Sequence, residues 1–197
     1  MTTDSPMQLG MVGLGRMGAG LVRRLMRDGH SCVVYDVNPA AVEALVANGA
    51  VGASSLADLA AKMTGPRHVW VMVPAGDITE TTVLAVADVL SPGDAIIDGG
   101  NSYYRDDIRR AGMVKERGLH YVDCGTSGGV FGLERGFCLM IGGEDEVVDR
   151  LAPIWRTIAP GVGDVERTPG RSGGFSPEEE GWRSEEHTSE LQSPECI

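Results

Sequence analysis

Residues Gln8 to Gly18 read Q-L-G-M-V-G-L-G-R-M-G, an apolar run feeding a G-x-G-x-x-G turn. Each glycine has a separate physical task. Gly13 permits the tight turn, Gly15 removes the side chain that would hold a pyrophosphate off the backbone, and Gly18 lets a following helix close onto the strand. The first N–H groups of that helix and the positive end of its dipole then point at the phosphate. Gly13, Leu14, Gly15, Arg16, Met17 and Gly18 are therefore candidate dinucleotide contacts. Asp36 ends the next apolar run, where its carboxylate can accept hydrogen bonds from both adenosine ribose hydroxyls and repel a 2′-phosphate. This favours NAD over NADP, although Arg27 or the following turn could still admit NADP. The alternative for Asp36 is a helix cap ahead of Asn38-Pro39.

Three more segments carry polar or small residues at the ends of apolar runs. Val73, Pro74 and Ala75 in V-M-V-P-A-G end one run, and the proline shapes the floor of the crevice where a nicotinamide would lie. Asp98-Gly-Gly-Asn-Ser102 ends the next; its glycines would let backbone approach a ligand, and Asn101 offers both a donor and an acceptor. Ser102 could equally serve as a helix N-cap. Gly125-Thr-Ser-Gly-Gly-Val130 follows, and Ser127, Gly128 and Gly129 suit a sugar acid whose carboxylate needs N–H and O–H donors. His30, His68 and His120 each precede a strand-like run and read as partly exposed structural residues. No Ser-His-Asp or metal-ligand spacing occurs, so no metal is expected.

These segments need a scaffold, and the chain alternates strand-like and helix-like stretches. Strands are predicted at 9–12, 32–35, 51–53, 68–73, 95–97, 119–122 and 138–141. Helices are predicted at 17–27, 40–47, 56–63, 79–90, 106–117 and 144–158. The run His68–Val73 is apolar nearly throughout, as a strand covered on both faces should be. Strands spaced by such helices predict an α/β fold: a doubly wound, mostly parallel Rossmann-like sheet with helices on both faces. Its loops would meet at one crevice beyond the strands' carboxyl ends.

The chain has 197 residues and a formal charge of −11. Much of that charge comes from seven glutamates after Ser172, opposed only by Arg183. The rest is ordinarily acidic, which argues against a nucleic-acid partner. No apolar run approaches the roughly 20 residues that cross a bilayer, and the first residues do not resemble a signal peptide. Cys32, Cys124, Cys138 and Cys196 are scattered without a C-x-x-C, and the first three sit in or beside apolar runs that favour burial. A reducing cytoplasmic location is expected.

Taken together, the motifs resemble the 6-phosphogluconate dehydrogenases, decarboxylating enzymes of the pentose phosphate pathway, from about Met7 to Trp182. Gly13–Gly18 matches the family's coenzyme turn and Val73–Ala75 its nicotinamide-side segment. Asn101 in D-G-G-N-S matches a residue used toward coenzyme and substrate, and Ser127-Gly128-Gly129 matches the substrate loop. The related 3-hydroxyisobutyrate dehydrogenases usually carry D-x-S-T where this chain has D-G-G-N-S. They remain an alternative, as does a non-catalytic dinucleotide-binding module. Asp36-Val37-Asn38 stands where NADP-using members carry Asn-Arg-Thr, so the resemblance implies the NAD-preferring branch. It also implies conversion of 6-phosphogluconate to ribulose 5-phosphate and CO2 in a homo-oligomer. The family's proton-transferring lysine, in a K-M-V-H-N-G helix, its later glutamate and its all-helical domain would all follow Trp182. No catalytic residue is carried over, and the chain alone is expected to bind coenzyme weakly without turnover.

Residues 1–165 are thus expected to form the coenzyme domain and 166–182 a linker. Residues 183–197 are expected to be a disordered tail. Arg183–Ser193 matches, residue by residue, the translation of a common sequencing adapter, which predicts that the tail is artefactual.

Overall fold

The computed structural model describes residues 5–163 and 176–185. Eight strands form one sheet: β1 (Gln8–Val12), β2 (Ser31–Tyr35), β3 (Val51–Gly52), β4 (His68–Val71), β5 (Ala95–Asp98), β6 (His120–Ser127), β7 (Cys138–Gly142) and β8 (Trp182–Glu185). Their order is β3-β2-β1-β4-β5-β6-β7-β8. The first six are parallel, β7 runs antiparallel to β6, and β8 runs parallel to β7. The order reverses between β1 and β4, which is the switch point where a doubly wound sheet opens a crevice. The expected fold class is the observed one.

Alternation along the strands builds two cores. Leu9, Met11, Cys32, Val34, Trp70 and Ile97 face one side, where they meet α1 (Arg16–Arg27) and, further along the chain, α8 (Ala152–Ile158). Val12, Val33, Val69, Val71 and Ile96 face the other, packing with residues of α3 (Leu56–Ala61), α4 (Asp77–Ala87) and α5 (Tyr104–Lys115). Side chains pointing alternately up and down a strand, all of them buried, give the continuous apolar runs seen in the sequence. The Trp70 and Trp155 rings meet edge to face at 5.7 Å within the first core.

The other elements are α2 (Pro39–Val46), α6 (Gly132–Arg135), α7 (Asp145–Arg150) and α9 (Pro177–Glu180). Asn38 caps α2, accepting the Ala40 N–H, with Pro39 in the first turn. The helix expected over 144–158 is two, α7 and α8, because Pro153 can stand only in a helix's first turn and so starts a new one.

Other sequence expectations also change. His30 and His68 are buried rather than partly exposed. Burial, then the nearby Arg150 charge, pushes the His68 imidazole down to about 4. Cys32 and Cys124 are buried as expected, whereas Cys138 is exposed. Cys196 lies outside the described residues. Where the pattern reads as linker and tail, residues 176–185 form α9 and β8. Ser176 and Glu179 make a reciprocal capping box, and Trp182 packs into the first core with 6% exposure. A four-residue helix and a strand held by one aromatic residue are too short to leave a periodic signal. No described helix is long and apolar enough to cross a membrane.

Candidate functional site

The Gly-rich turn leaves β1 at its carboxyl end and enters α1. Gly13 adopts φ +94°, and a Cβ there would overlap the Met72 carbonyl oxygen, so the position demands glycine twice over. A Cβ at Gly18 would overlap the Gly13 carbonyl oxygen. At Gly15 a Cβ would meet no atom within 4 Å, so the space in front of the turn is open. Gly15 is also the N-cap of α1, with no side chain bonded across the helix end and no acidic residue in the first turn. The helix therefore presents uncapped N–H groups and an uncancelled positive dipole end to that space. These features fit a pyrophosphate and need nothing larger than hydrogen at Gly15.

Asp36 stands directly beside the turn. Its Oδ2 accepts the Leu14 N–H at 2.6 Å and its Oδ1 accepts the Asn38 N–H at 2.8 Å. A carboxylate can accept about four hydrogen bonds, so acceptor capacity remains for two ribose hydroxyls. Capping of α2 falls to Asn38, so Asp36 is free of the helix-cap role considered above. Leu14 turns its side chain into the first core and lends its N–H to Asp36. Arg16 and Gly15 are exposed, and Met17 is half-buried. A groove of about 460 Å³ runs from Asp36 past Pro39 and Ser54 to Lys62.

A second cleft, of about 310 Å³, lies between the turn and the loop after β6. Leu14, Gly15, Arg16 and Arg23 line one side, and Gly129, Leu133 and Phe137 the other. The structure thus brings a coenzyme candidate and a substrate-loop candidate around one space. Ser127, Gly128 and Gly129 are all exposed. Ser127 is the last residue of β6, which runs five residues further than the sequence pattern suggests. After it, Gly128 (φ +155°) and Gly129 (φ +50°) turn the chain into a single 3-10 turn over 129–131.

The remaining candidates follow β4 and β5. The Val73 side chain adjoins Gly13. Pro74 and Ala75 are exposed, and the Pro74 carbonyl accepts the Thr79 hydroxyl at 2.9 Å. Asn101 is exposed and is the one described non-glycine residue with positive φ, +52°. Asn tolerates that conformation better than most residues, and such strain gathers at functional positions. Packing requires the two glycines before it: a Cβ at Gly99 would strike Trp70 and Met72, and one at Gly100 would strike Thr79. They are small so that this loop can pack on its neighbours. Ser102 is not the cap of α5, which begins after Tyr103. Its hydroxyl is buried and receives Arg110 Nη1 at 2.7 Å.

Beneath this loop lies a charged cluster that the sequence reading missed. Arg110, 1% exposed, reaches Asp98 at 3.2 Å and Asp107 at 3.5 Å. The Tyr121 hydroxyl lies 2.6 Å from Asp98 and 3.1 Å from Asp107. Burial, then the Asp98 and Asp123 carboxylates, pushes the Asp107 carboxyl up to about 7, and burial raises the Tyr121 phenol strongly. The available signal was helical spacing: Asp107, Arg110 and Val114 share the buried face of α5.

The family described as the NAD binding domain of 6-phosphogluconate dehydrogenase matches residues 8–165. The NAD(+)-dependent, decarboxylating 6-phosphogluconate dehydrogenase of Haloferax volcanii is 42% identical over 155 residues, covering 79% of this chain. The matched region is 51% of that relative, so the chain spans about half its length. Plasmodium falciparum 6-phosphogluconate dehydrogenase, solved with NADP+ and with 6-phosphogluconate, superposes with a TM-score of 0.74 at 27% identity. That match covers 80% of this chain and 35% of the other. A 3-hydroxyisobutyrate dehydrogenase from Salmonella typhimurium gives 0.70 at 27% identity, over 77% of this chain and 53% of the other. By sequence and by fold alike, the chain belongs to the family of NAD-binding domains of 6-phosphogluconate dehydrogenase.

Proposed function

We propose that this chain is the coenzyme-binding portion of an NAD-preferring, decarboxylating 6-phosphogluconate dehydrogenase, with the domain division near residue 165. The observation that carries the reading is the Asp36 carboxylate, 2.6 Å from the Leu14 N–H at the mouth of the Gly-rich turn. A negative charge there attracts ribose hydroxyls and repels a 2′-phosphate. Gly13, Gly15, Arg16, Met17 and Gly18 would hold the pyrophosphate, and Val73, Pro74, Ala75 and Asn101 would border the nicotinamide. Bound NAD supplies a hydride acceptor. Asn101 and the Ser127-Gly128-Gly129 loop would orient the sugar acid through its hydroxyls and carboxylate.

Proton transfer would need groups beyond these residues. The chain's two lysines are both engaged elsewhere: Lys62 with Asp58 and the Gly52 carbonyl, and Lys115 with Glu144. Positioned acid–base groups contribute about 10²- to 10⁴-fold each, so the 197-residue chain is expected to bind NAD without turning over 6-phosphogluconate. Cytoplasmic location and a homo-oligomeric assembled enzyme belong to the same proposal. Titration calorimetry with NAD+ and NADP+ tests it, with tighter binding of NAD+ expected. Tighter binding of NADP+, or NADH formation by the chain itself, would refute it. The likeness to the Salmonella 3-hydroxyisobutyrate dehydrogenase supports a second reading. Preference of the longer gene product for 3-hydroxyisobutyrate over 6-phosphogluconate would establish that one instead.

A further inference from the structure

The two loops that would border the nicotinamide are joined from below by one side chain. Arg110 lies on the buried face of α5, and its Nη1 donates to the Ser102 hydroxyl at 2.7 Å and to Asp98 Oδ2 at 3.2 Å. Its Nη2 reaches the Gly76 carbonyl at 3.4 Å. Ser102 and Asp98 flank Asn101 on the loop after β5, and Gly76 ends the Pro74–Ala75 segment after β4. Asp98 is itself fixed: its Oδ1 accepts the Gly100 N–H at 2.9 Å and its Oδ2 the Tyr121 hydroxyl at 2.6 Å. A third tie runs through Thr79, which bonds the Pro74 carbonyl and packs against Gly100. The nearest of these ties end on Gly100 and Ser102, either side of Asn101, whose own backbone sits at φ +52° with its side chain exposed.

A conformation that costs energy persists only where its surroundings over-determine it. Burying a guanidinium is also a poor way to gain stability, because its desolvation offsets most of the attraction it gains. A planar fork does offer what an apolar side chain cannot, namely several directed hydrogen bonds to two separate loops at once.

We propose that Arg110 is a positioning residue: it locks the Asp98–Ser102 loop to the Pro74–Gly76 loop and thereby holds Asn101 in place. The proposal rests on the reading of Asn101 as a coenzyme and substrate contact given above. It makes Arg110 act through Asn101, with no contact of its own to either molecule.

A double-mutant cycle on the 197-residue chain tests this, with NADH binding followed by calorimetry. Arg110→Met and Asn101→Ala are each expected to weaken binding about tenfold, and the double variant no more than the weaker single. Arg110→Lys keeps the charge without the fork and is expected to recover only part of the loss. Amide spectra provide a readout that needs no coenzyme: Arg110→Met should shift the Asn101 and Ser102 signals while leaving those of Gly15 and Arg16 in place. Losses that multiply in the double variant, or unmoved Asn101 and Ser102 signals, would overturn the proposal. If Arg110→Met does not fold, Ser102→Ala removes the nearest acceptor and should move the Asn101 signal in the same way; an unmoved signal there overturns it too. If the unmodified chain fails to bind NADH, the proposed function fails while the amide spectra still decide the role of Arg110.

Discussion

The Asp36 carboxylate accepts the Leu14 main-chain N–H at 2.6 Å, which fixes the end of β2 against the turn that ends β1. One side chain therefore serves both the fold and the proposed ribose contact. Asp36→Ala leaves the Leu14 and Asn38 N–H groups without their acceptor, which costs about 1–3 kcal/mol if they stay shielded. It should also weaken NAD+ binding by about 10- to 100-fold, since hydrogen bonds to a charged group are worth about 1.5–3 kcal/mol. Asp36→Asn keeps one acceptor and removes the charge, so it should close the gap between NAD+ and NADP+. Calorimetry with both coenzymes checks this, and an unchanged preference in Asp36→Asn would contradict the electrostatic argument.

Two glycines of the same turn should respond to alanine in opposite ways. Gly15 has open space where a Cβ would go, so Gly15→Ala should cost only the roughly 0.5–1 kcal/mol by which alanine is a poorer N-cap than glycine, and reduce NAD+ affinity at least about tenfold. Gly18 has the Gly13 carbonyl oxygen in that place, so Gly18→Ala forces helix and strand apart and should cost about 1–3 kcal/mol of stability. Thermal melts with and without NAD+ separate the two effects. Equal destabilisation by both substitutions would mean that Gly15 is held by packing rather than kept open for a ligand.

These contrasts show which parts of the molecule could be read from sequence. The strands were legible because burial on both faces leaves continuous apolar runs such as Val69–Val71. The turn was legible because glycine at fixed spacing has few other uses. The Arg110 cluster was not, because its members come from β5, β6 and α5 and meet only after the sheet forms. Helical spacing ties Asp107 to Arg110 within α5, but nothing in the sequence links that pair to Asp98 or Tyr121. The packing role of Gly99 and Gly100 was hidden for a related reason: a glycine needed for contact with Trp70 or Thr79 looks the same in sequence as one needed beside a ligand.

The buried cluster should leave a mark on the pH dependence of stability. Asp107 is held up to about 7 in the folded protein, chiefly by burial and then by the Asp98 carboxylate, against about 4 in an unfolded chain. Between those values the folded state keeps a proton that the unfolded state has released. Stability from this group is therefore complete below about pH 4 and lost as pH rises through 7. Asp107→Asn resembles the protonated form at every pH. The difference in melting temperature, variant minus unmodified chain, should thus become more favourable to the variant between pH 5 and pH 8.5. A difference that stays flat over that range would show that Asp107 titrates as an ordinary carboxylate.

The edge strand β8 makes the last prediction. Trp182 is 6% exposed, packs into the core shared by α1 and α8, and donates its indole N–H to Glu180 at 3.0 Å. Its main chain pairs with Leu139 of β7, so the indole is what anchors a strand of four residues. Trp182→Ala removes that anchor and should cost about 3 kcal/mol, at the lower end for a large buried aromatic residue because an edge site can partly collapse. For a domain of this size the melting point should fall by roughly 6–12 °C. Trp182→Phe keeps most of the buried area and loses the rest of the indole with its bond to Glu180, so it should recover more than half of the difference. Because α9 and β8 stand away from the turn and from Asp36, neither substitution should change NAD+ affinity measured well below the melting range. A melting point unmoved by Trp182→Ala would show that β8 adds no stability to the sheet, and the domain would then end, energetically, with α8.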